Sequence, residues 1–381
     1  MRIAIVPNAF KGSLTAALAA ACMERGLKRG MPNVTTIKIP MADGGDGTVE
    51  AIVEATGGRK VRCSVHDPLG RKIRAAFGLT GDGRTAVIEM ALASGLALLK
   101  PTERNPLLAS SRGTGELIRA ALKLDVREIL IGIGGSATND GGMGMARALG
   151  ARFFDAQNRE LPDNGGALTK LSHIDVAGLD VRLNNPVISV ACDVGNPLLG
   201  PHGATSVYGP QKGATPAMVK LLDAGLKQLA AVIQKDMGIK VAKLSGAGAA
   251  GGVGAGLIAF LGASMQPGID IVTRTIGLES RLAGCDLVVT GEGRLDGQTI
   301  FGKAPAGVAR LARKLGIPVI AICGSIGPDA SKVQAVGINA FFSALEESMV
   351  EADLPKRAPG MLERCAEQVG RLIALKGIIK K

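Results

Sequence analysis

The chain has 381 residues, of which 46% are hydrophobic and 20% charged, a composition typical of a globular protein with two or three domains. The formal net charge is +12, but one Tyr, eight Phe and no Trp offer little stacking for nucleic-acid bases, so small anions are the favoured partners. The six cysteines stand singly without a CxxC pair, which disfavours a structural zinc site and is typical of the reducing cytoplasm.

The first part of the chain alternates predicted strands and helices. Short apolar runs at 2–7 and 35–40 predict strands, and the spacing of apolar residues between them predicts a helix from an N-cap at Ser13 to a stop at Gly30. A glycine-rich loop and a second helix are predicted over 44–58. This alternation indicates a parallel α/β sheet.

Residues 60–90 have a different character, with several strands joined by turns at DPLG and GDG. The strands predicted after this region lie at 127–135, 186–194, 285–293, 317–325 and 337–345. The helices predicted there lie at 113–124, 143–151, 216–238, 306–316 and 361–377.

The two ends of the chain share one α/β rhythm, which the middle lacks. We therefore predict a discontinuous, doubly wound parallel-sheet domain from residues 1–65 and 270–381, with a second α/β domain, 66–269, inserted in it. The uncharged stretch 244–269 is long enough to cross a bilayer, but it holds eight glycines and a proline. A glycine-rich loop followed by a buried helix is expected instead, with no membrane partner.

Four glycine-rich loops carry acidic residues, and three of them directly follow an apolar strand. The carboxyl ends of strands in open α/β sheets are where ligands bind. One such loop is more often a simple turn, but four together supply what phosphoryl transfer needs: amides for phosphates, carboxylates for Mg²⁺ and a carboxylate base. The polar residues of these loops are Asp43, Asp46, Asp140, Asp193, Asn196, Glu292 and Asp296.

Two further glycine patterns approach known nucleotide-binding motifs. GAGAAG at 246–251 fits G-x-G-x-x-G, with Asp270 downstream, but a helix rather than a strand is predicted before it. An NAD(P)-dependent oxidoreductase is therefore kept as an alternative function. GQTIFGKA at 297–304 ends in Ala304 where a P-loop requires Ser or Thr, so this motif is rejected.

Cations in several loops could hold a carboxylate or phosphate, although each could equally be a solvated surface charge. Lys303 lies near the N-terminus of a predicted helix, where Pro305 is acceptable as a first helical residue and an anion is favoured. Lys11, Lys212 and Arg294 lie in three other loops.

In this order, the loops resemble those of the bacterial glycerate kinase family. The matching segments span about residues 5–325 and include ADGGDGTVEA (42–51), SRGTGELI (111–118), GIGGSATNDGGMGMARALGA (132–151), ACDVGNPLLG (191–200) and VTGEGRLDGQT (289–299). The resemblance implies transfer of the ATP γ-phosphoryl group to D-glycerate with Mg²⁺, and 2-phosphoglycerate as the favoured product. It also implies a role in glyoxylate and sugar-acid degradation.

The resemblance further implies a flavodoxin-like domain built from both chain ends and an inserted domain likened to a restriction-enzyme fold. We expect the active site in the cleft between them, and a monomer or a homodimer. The family usually reads P-D-S-[FY]-K after the first strand, whereas this chain has Asn8 and Ala9 in place of Asp and Ser. Because Asn8 cannot act as a base, a non-catalytic small-anion-binding protein is a second alternative.

We predict a base at Asp140 or Asp193, with Lys11 as a further catalytic group. The predicted substrate-binding residues are Arg294, Lys212, Ser136 and Asn196. The predicted nucleotide and phosphate contacts are Gly134, Gly135, Gly248, Gly251, Gly252 and Lys303. The predicted Mg²⁺ ligands are Asp43 and Asp296.

Overall fold

The computed structural model describes residues 1–347 and 350–375, which form two compact units. Unit 1 comprises Met1–Asp43, Glu50–Ala55 and the residues from Ile269 onward, and unit 2 comprises Gly44–Val49 and Thr56–Gly268. The sequence-based boundaries were 65/66 and 269/270.

The elements are numbered in chain order. The strands within the described ranges are β1 (Arg2–Pro7), β2 (Thr35–Lys38), β3 (Arg59–His66), β4 (Lys72–Leu79), β5 (Thr85–Glu89), β6 (Glu128–Gly132), β7 (Arg152–Phe154), β8 (His173–Asp175), β9 (Val187–Ala191), β10 (Ser264–Gln266), β11 (Leu287–Gly291), β12 (Arg294–Leu295), β13 (Val319–Cys323), β14 (Ser325–Ile326) and β15 (Ala340–Ser343). The helices there are α1 (Ala16–Gly30), α2 (Thr48–Thr56), α3 (Ala91–Ser94), α4 (Arg112–Leu122), α5 (Met143–Ala148), α6 (Ala204–Tyr208), α7 (Pro216–Met237), α8 (Val253–Leu261), α9 (Gly268–Thr275), α10 (Leu278–Leu282), α11 (Ala304–Lys314) and α12 (Leu354–Ala374). The last two residues of the helix predicted over 361–377 lie outside the described residues.

Unit 1 is built on a five-stranded sheet in which every pairing is parallel, in the order β15-β13-β11-β1-β2. Numbered by their succession in this unit, the strands stand in the order 5-4-3-1-2. The interior strand β1 is apolar and fully buried from Ile3 to Val6. Burial on both faces explains its unbroken hydrophobic run.

The predicted N-cap of α1 is wrong. The helix begins at Ala16, and the Thr15 hydroxyl oxygen accepts a hydrogen bond from the Leu18 amide at 3.2 Å. Ser13 instead donates its hydroxyl to the Phe10 carbonyl at 3.0 Å. Ser13 and Thr15 are both possible capping residues. Because the Ser13 hydroxyl is bound in the turn at Phe10, Thr15 caps the helix.

The predicted role of Gly30 as a left-handed helix stop is also wrong. Gly30 is the last helical residue of α1 and has no positive φ angle. A Cβ atom there would lie 2.5 Å from the Glu367 carbonyl oxygen on α12, and one at Gly26 would lie 2.2 Å from the Glu363 carbonyl oxygen. These two glycines therefore permit the close packing of α1 on α12.

Unit 2 is built on a six-stranded sheet in the order β10-β9-β6-β5-β4-β3. Strands β5, β6, β9 and β10 are parallel, whereas β3 and β4 add an antiparallel edge. The predicted loop and buried helix within 244–269 are confirmed, because α8 is buried along nearly its whole length. In the two described ranges, no helix has both the length and the apolar character needed to cross a membrane.

Candidate active site

Polar side chains gather at the carboxyl edge of the unit 1 sheet. The order of the strands reverses direction between β1 and β11, which is the position where ligands bind in open α/β sheets. Asn8 directly follows β1 and Glu292 directly follows β11, and each residue is only 6% exposed. The fold thus brings together two residues that are far apart in the sequence.

Asn8 fixes a neighbouring carboxylate. Its side-chain NH₂ group donates to Asp43 Oδ2 at 3.1 Å, and its side-chain oxygen Oδ1 accepts from the Ala9 backbone amide at 2.8 Å. An aspartate at this position would place two carboxylates against each other, whereas the amide supplies a donor. The departure from the family pattern therefore leaves Asp43 with a defined hydrogen bond.

Glu292 has a buried carboxylate with few partners. Thr299 donates its hydroxyl to Glu292 Oε1 at 2.6 Å, and Lys303 Nζ lies 3.8 Å from Oε2. Burial raises the pKa of Glu292; the Thr299 hydrogen bond and the Lys303 charge lower it, while Asp43 and Asp296 raise it further. A carboxylate with a raised pKa is a stronger base than an ordinary glutamate, which suits it to accepting a proton.

Lys303 and Asp296 form the outer part of this group, and Arg294 lies beside it. Lys303, predicted to bind phosphate, has its Nζ 3.6 Å from Asp296 Oδ1 as well as 3.8 Å from Glu292 Oε2. Its charge is therefore paired with two carboxylates. Arg294 is largely exposed, with Nε at 3.5 Å from Asp296 Oδ2. We call Asn8, Asp43, Glu292, Asp296, Thr299 and Lys303 the switch-point cluster.

Lys11 lies in the loop between β1 and α1 and is exposed. Its backbone amide passes close to Gly293, where an added Cβ atom would lie 3.4 Å from the Lys11 nitrogen. The structure therefore places the Lys11 loop beside the loop that carries Glu292 and Arg294.

In unit 2, the segment Gly134–Ser136 begins two residues after the end of β6 and is called here the glycine loop. Gly134 and Gly135 are exposed, and Gly135 has a φ angle of +69°. Among the described residues, the amides of Gly134, Gly135 and Ser136 have no recorded acceptor. Consecutive unpaired amides in a loop with a left-handed residue form a concave anion-binding surface.

Beneath the glycine loop lies the buried side chain of Lys212. Its Nζ donates to Ser136 Oγ at 2.9 Å and to the Thr138 carbonyl oxygen at 2.7 Å. Burial lowers the pKa of Lys212 to about 7, although the charge of Asp140 acts in the opposite direction. The structure thus brings together two of the predicted substrate-binding residues, Ser136 and Lys212.

Asp140 is fully buried, and donors occupy its carboxylate. Its Oδ2 accepts from the Ser111 amide and hydroxyl, both at 2.8 Å, and from the Gly144 amide at 3.2 Å, while Oδ1 accepts from the Gly142 amide at 3.2 Å. Burial raises the pKa of Asp140, while these four hydrogen bonds lower it. The arrangement is that of a structural carboxylate that joins the starts of α4 and α5; its predicted role as a base stays a prediction.

The glycines at 248, 251 and 252 are buried and closely packed. A Cβ atom at Gly248 would lie 2.1 Å from the Pro197 carbonyl oxygen, and one at Gly251 would lie 2.0 Å from the Thr138 carbonyl oxygen. Gly252 would similarly approach the backbone of Gly141. Close backbone contact accounts for these glycines, and their predicted contact with phosphates stays untested.

Asp193 and Asn196 follow β9. Asp193 is exposed, and its Oδ1 accepts from the Gly268 amide at 3.0 Å. Asn196 is held by two hydrogen bonds, donating to the His202 carbonyl at 2.9 Å and accepting from the Tyr208 hydroxyl at 2.8 Å. Of the two predicted bases, Asp193 is thus the accessible one.

Within the described part of the chain, no group of three or more His, Cys, Asp or Glu residues forms a metal cage. The predicted Mg²⁺ ligands Asp43 and Asp296 are both partly exposed, and both act electrostatically on Glu292. Mg²⁺ in phosphoryl-transfer sites is commonly held by one or two carboxylates together with substrate phosphates and water. The oxygen donors of the switch-point cluster are compatible with such a site.

Sequence reasoning missed several polar residues that hold these loops. Thr299 orients Glu292, and Ser111 binds Asp140. Glu89, at the end of β5, accepts from the Val49 amide at 2.7 Å near the start of α2. Glu89 could have been noticed in the sequence, because it is an acidic residue at the end of an apolar strand. Nothing in the sequence pattern marks Thr299 or Ser111.

Fold and site together define a mixed α/β protein with parallel sheets and polar groups at the strand ends. The sequence model of the glycerate kinase family matches residues 3–374, so the chain belongs to this family. A protein named glycerate kinase from Bacillus subtilis (strain 168) is 50% identical over 375 residues, 98% of each chain. One named glycerate 2-kinase from Escherichia coli (strain K12) is 51% identical over 345 residues, 91% of each chain.

The three-dimensional comparison agrees with this membership. A crystal structure from Salmonella typhimurium LT2, provisionally assigned as glycerate kinase 2, matches with a TM-score of 0.90 and 47% identity. The match covers 100% of both chains.

Proposed function

We propose that this protein is a glycerate kinase that transfers the γ-phosphoryl group of ATP to D-glycerate, with 2-phosphoglycerate as product. Family membership and the names of relatives near 50% identity support this proposal. A place in glyoxylate and sugar-acid degradation, a cytoplasmic location and a monomeric or homodimeric state belong to the same proposal.

We also assign unit 1 to the flavodoxin-like folds. Read from its other edge, the all-parallel sheet has the order 2-1-3-4-5, which is the order of that fold class. The restriction-enzyme-like description of unit 2 rests on the family resemblance. The expected active site in a cleft between the domains stays a prediction.

The glycine loop is proposed to bind phosphate oxygens of ATP. The observation that carries the assignment is that the amides of Gly134, Gly135 and Ser136 find no acceptor in the described part of the chain. Fixed amide donors stabilise phosphoryl charge without reorganising during the reaction.

Glu292 is proposed as the base that accepts the hydroxyl proton of glycerate. Among the described residues its carboxylate has a single hydrogen-bond donor, and its pKa is raised, whereas four donors hold the carboxylate of Asp140 in place. Asp193 is exposed and stays a candidate for orienting the substrate or metal.

Asp43 and Asp296 would hold Mg²⁺, which supplies positive charge to the β- and γ-phosphate oxygens when bound. Lys11 and Arg294, the exposed cations beside this cluster, would hold the glycerate carboxylate. Arg can bind a carboxylate through two parallel hydrogen bonds.

The direct test measures ADP release from Mg·ATP in the presence of D-glycerate. Coupling the product to enolase, which accepts 2-phosphoglycerate, tests the site of phosphorylation. Absence of ADP release with folded protein would contradict the proposal in favour of a non-catalytic anion-binding protein. A thermal shift with NAD(P) and none with Mg·ATP would favour the oxidoreductase alternative.

A further inference from the structure

We propose that Lys212 is a positioning residue that takes up a proton when phosphate binds on the glycine loop, acting on that phosphate through the Ser136 hydroxyl. The inference rests on the proposed function, because it assigns ATP phosphates to this loop. In this proposal Lys212 takes a proton from solvent when phosphate binds, and no covalent bond between heavy atoms forms or breaks.

The direction of the hydrogen bonds supports this arrangement. Lys212 Nζ donates to Ser136 Oγ, so the Ser136 hydroxyl hydrogen remains available to an outside acceptor. Gly134 and Gly135, immediately before Ser136, are exposed, and the three amides are unpaired among the described residues. An anion on these amides would therefore accept from a hydroxyl that is itself polarised by Lys212.

The electrostatic surroundings of Lys212 leave its charge poorly compensated. The side chain is 2% exposed, and no ion pair involves it among the described residues. Of the titratable or charged side chains on neighbouring segments, Asp140 favours the ammonium form but already accepts four hydrogen bonds. The Tyr208 hydroxyl is directed to Asn196, and Arg104 approaches Gly213 through its carbonyl and Cβ atoms. On the glycine loop, Asp46 Oδ1 lies 3.7 Å from the position that a Cβ atom of Gly135 would take.

Two side-chain oxygens on the segment that Lys212 contacts through the Thr138 carbonyl also lack partners in the described ranges. Thr138 Oγ1 and Asn139 Oδ1 have no hydrogen-bond partner among the described residues, although both residues are fully buried. Buried polar atoms are normally paired, so these oxygens mark a polar interior that lacks donors, and the ammonium form of Lys212 offers one more donor than the neutral amine. A phosphate on the outer side of Ser136 would supply negative charge that favours this ammonium form.

The consequence is linkage between phosphate and proton. Because the pKa of Lys212 is about 7 without the anion, most of these side chains are neutral at pH 8. Negative charge close to a buried amine stabilises the ammonium form and raises its pKa. Phosphate binding therefore draws a proton from solvent, and affinity falls as the pH rises above 7.

Calorimetric titration of the full chain with Mg·ADP at pH 8 measures this proton directly. Titrations in two buffers of different ionisation enthalpy give the number of protons taken up per nucleotide. We expect uptake approaching about 0.9 proton, since a group with a pKa near 7 is roughly 90% deprotonated at pH 8. Phosphate groups, with a second pKa of about 6, are already ionised at this pH.

Variants separate the lysine from other sources of protons. Lys212→Met is expected to abolish the uptake, and Lys212→Arg, which is permanently charged, to bind Mg·ADP without uptake. The matched control Lys220→Met removes an exposed lysine of the same unit and is expected to keep the wild-type uptake. If Lys212→Met fails to fold, the arginine variant still tests the proposal.

Kinetics provide a second measurement. In the wild type, KM for ATP should rise about tenfold from pH 7.5 to 8.5 once the lysine is mostly neutral, whereas KM for D-glycerate should change little. In Lys212→Arg, KM for ATP should be flat over this range.

The outcomes distinguish the inference from the function. Mg·ADP binding without buffer-dependent heat, or equal uptake in the wild type and Lys212→Arg, would overturn the inference and leave the kinase assignment intact. Proton uptake with Mg·ADP but no turnover of D-glycerate would support the inference and contradict the proposed function.

Discussion

Asp140 in unit 2 and Glu292 in unit 1 illustrate how one sequence pattern serves two physical roles. Each follows an apolar strand, stands among glycines and is buried. Within residues 1–347 and 350–375, the Asp140 carboxylate accepts four hydrogen bonds, whereas that of Glu292 accepts one from Thr299 and lies 3.8 Å from Lys303 Nζ. The number of fixed donors, rather than burial, distinguishes these two carboxylates and is the reason for proposing Glu292 as the base.

The same contrast extends to the cations. Lys303 lies between two carboxylates, at 3.8 Å from Glu292 and 3.6 Å from Asp296. Lys212 is buried against a hydroxyl and a carbonyl oxygen. Unit 1 therefore gathers charges of both signs in its cluster, whereas unit 2 holds an incompletely compensated amine beneath open amides.

The largest effect is expected for Glu292→Gln, which keeps the shape of the side chain but removes the base. The kcat for D-glycerate phosphorylation should fall by roughly 10²–10⁴-fold. The melting temperature should change little, because Thr299 can still donate to the amide oxygen. Glu363→Gln on α12 is the control, since it alters a buried carboxylate outside the cluster; an equal loss of kcat there would break the comparison.

Asp140→Asn should show the opposite pattern. An amide nitrogen would face donors that now approach a carboxylate oxygen, at a cost of about 1–3 kcal/mol in the free energy of unfolding. Urea unfolding measures this loss, and kcat is measured on the folded fraction. Wild-type stability combined with a loss of kcat would instead assign Asp140 to catalysis.

Lys212 should make the stability of the protein depend on pH. Its pKa is about 7 when folded, against 10.5 for an ordinary lysine, so the unfolded chain binds more protons between these values. The free energy of unfolding should therefore rise with pH over this window, by at most about 1.4 kcal/mol per pH unit, and receive no slope from Lys212 below it. Urea unfolding at pH 6, 7.5 and 9 should show this slope in the wild type and its loss in Lys212→Met.

The smallest effect is expected in the glycine loop. Gly135→Ala places a side chain at a φ angle of +69° and should cost about 1–2 kcal/mol in the free energy of unfolding, together with a higher KM for ATP. Gly134 has no positive φ, and its added Cβ would find the nearest atom at 3.9 Å. Gly134→Ala should therefore stay within about 0.5 kcal/mol of the wild type; equal losses in both variants would contradict the strain argument.

Sequence patterns predicted the long elements well because apolar periodicity reflects burial directly. The strands β1, β6, β9 and β11 and the helices α4, α7 and α11 all occur where the pattern placed them. Short elements such as β7, β8 and β10, each of three residues, lie below the length at which a period can be recognised. The two ends of α1 were predicted wrongly because one depends on the turn at Phe10 and the other on the contact between Gly30 and α12. Neither feature can be read from a single sequence.

By itself, the sequence determined the alternation of strands and glycine-rich loops, the acidic and basic residues those loops carry, and the resemblance to one kinase family. Only the tertiary structure decided which residues meet and how many donors each receives. It joined Asn8 to Asp43 and buried Lys212 under Ser136. The reason is physical: chain order sets chemical identity, but desolvation and hydrogen-bond count depend on neighbours that the fold brings from distant positions.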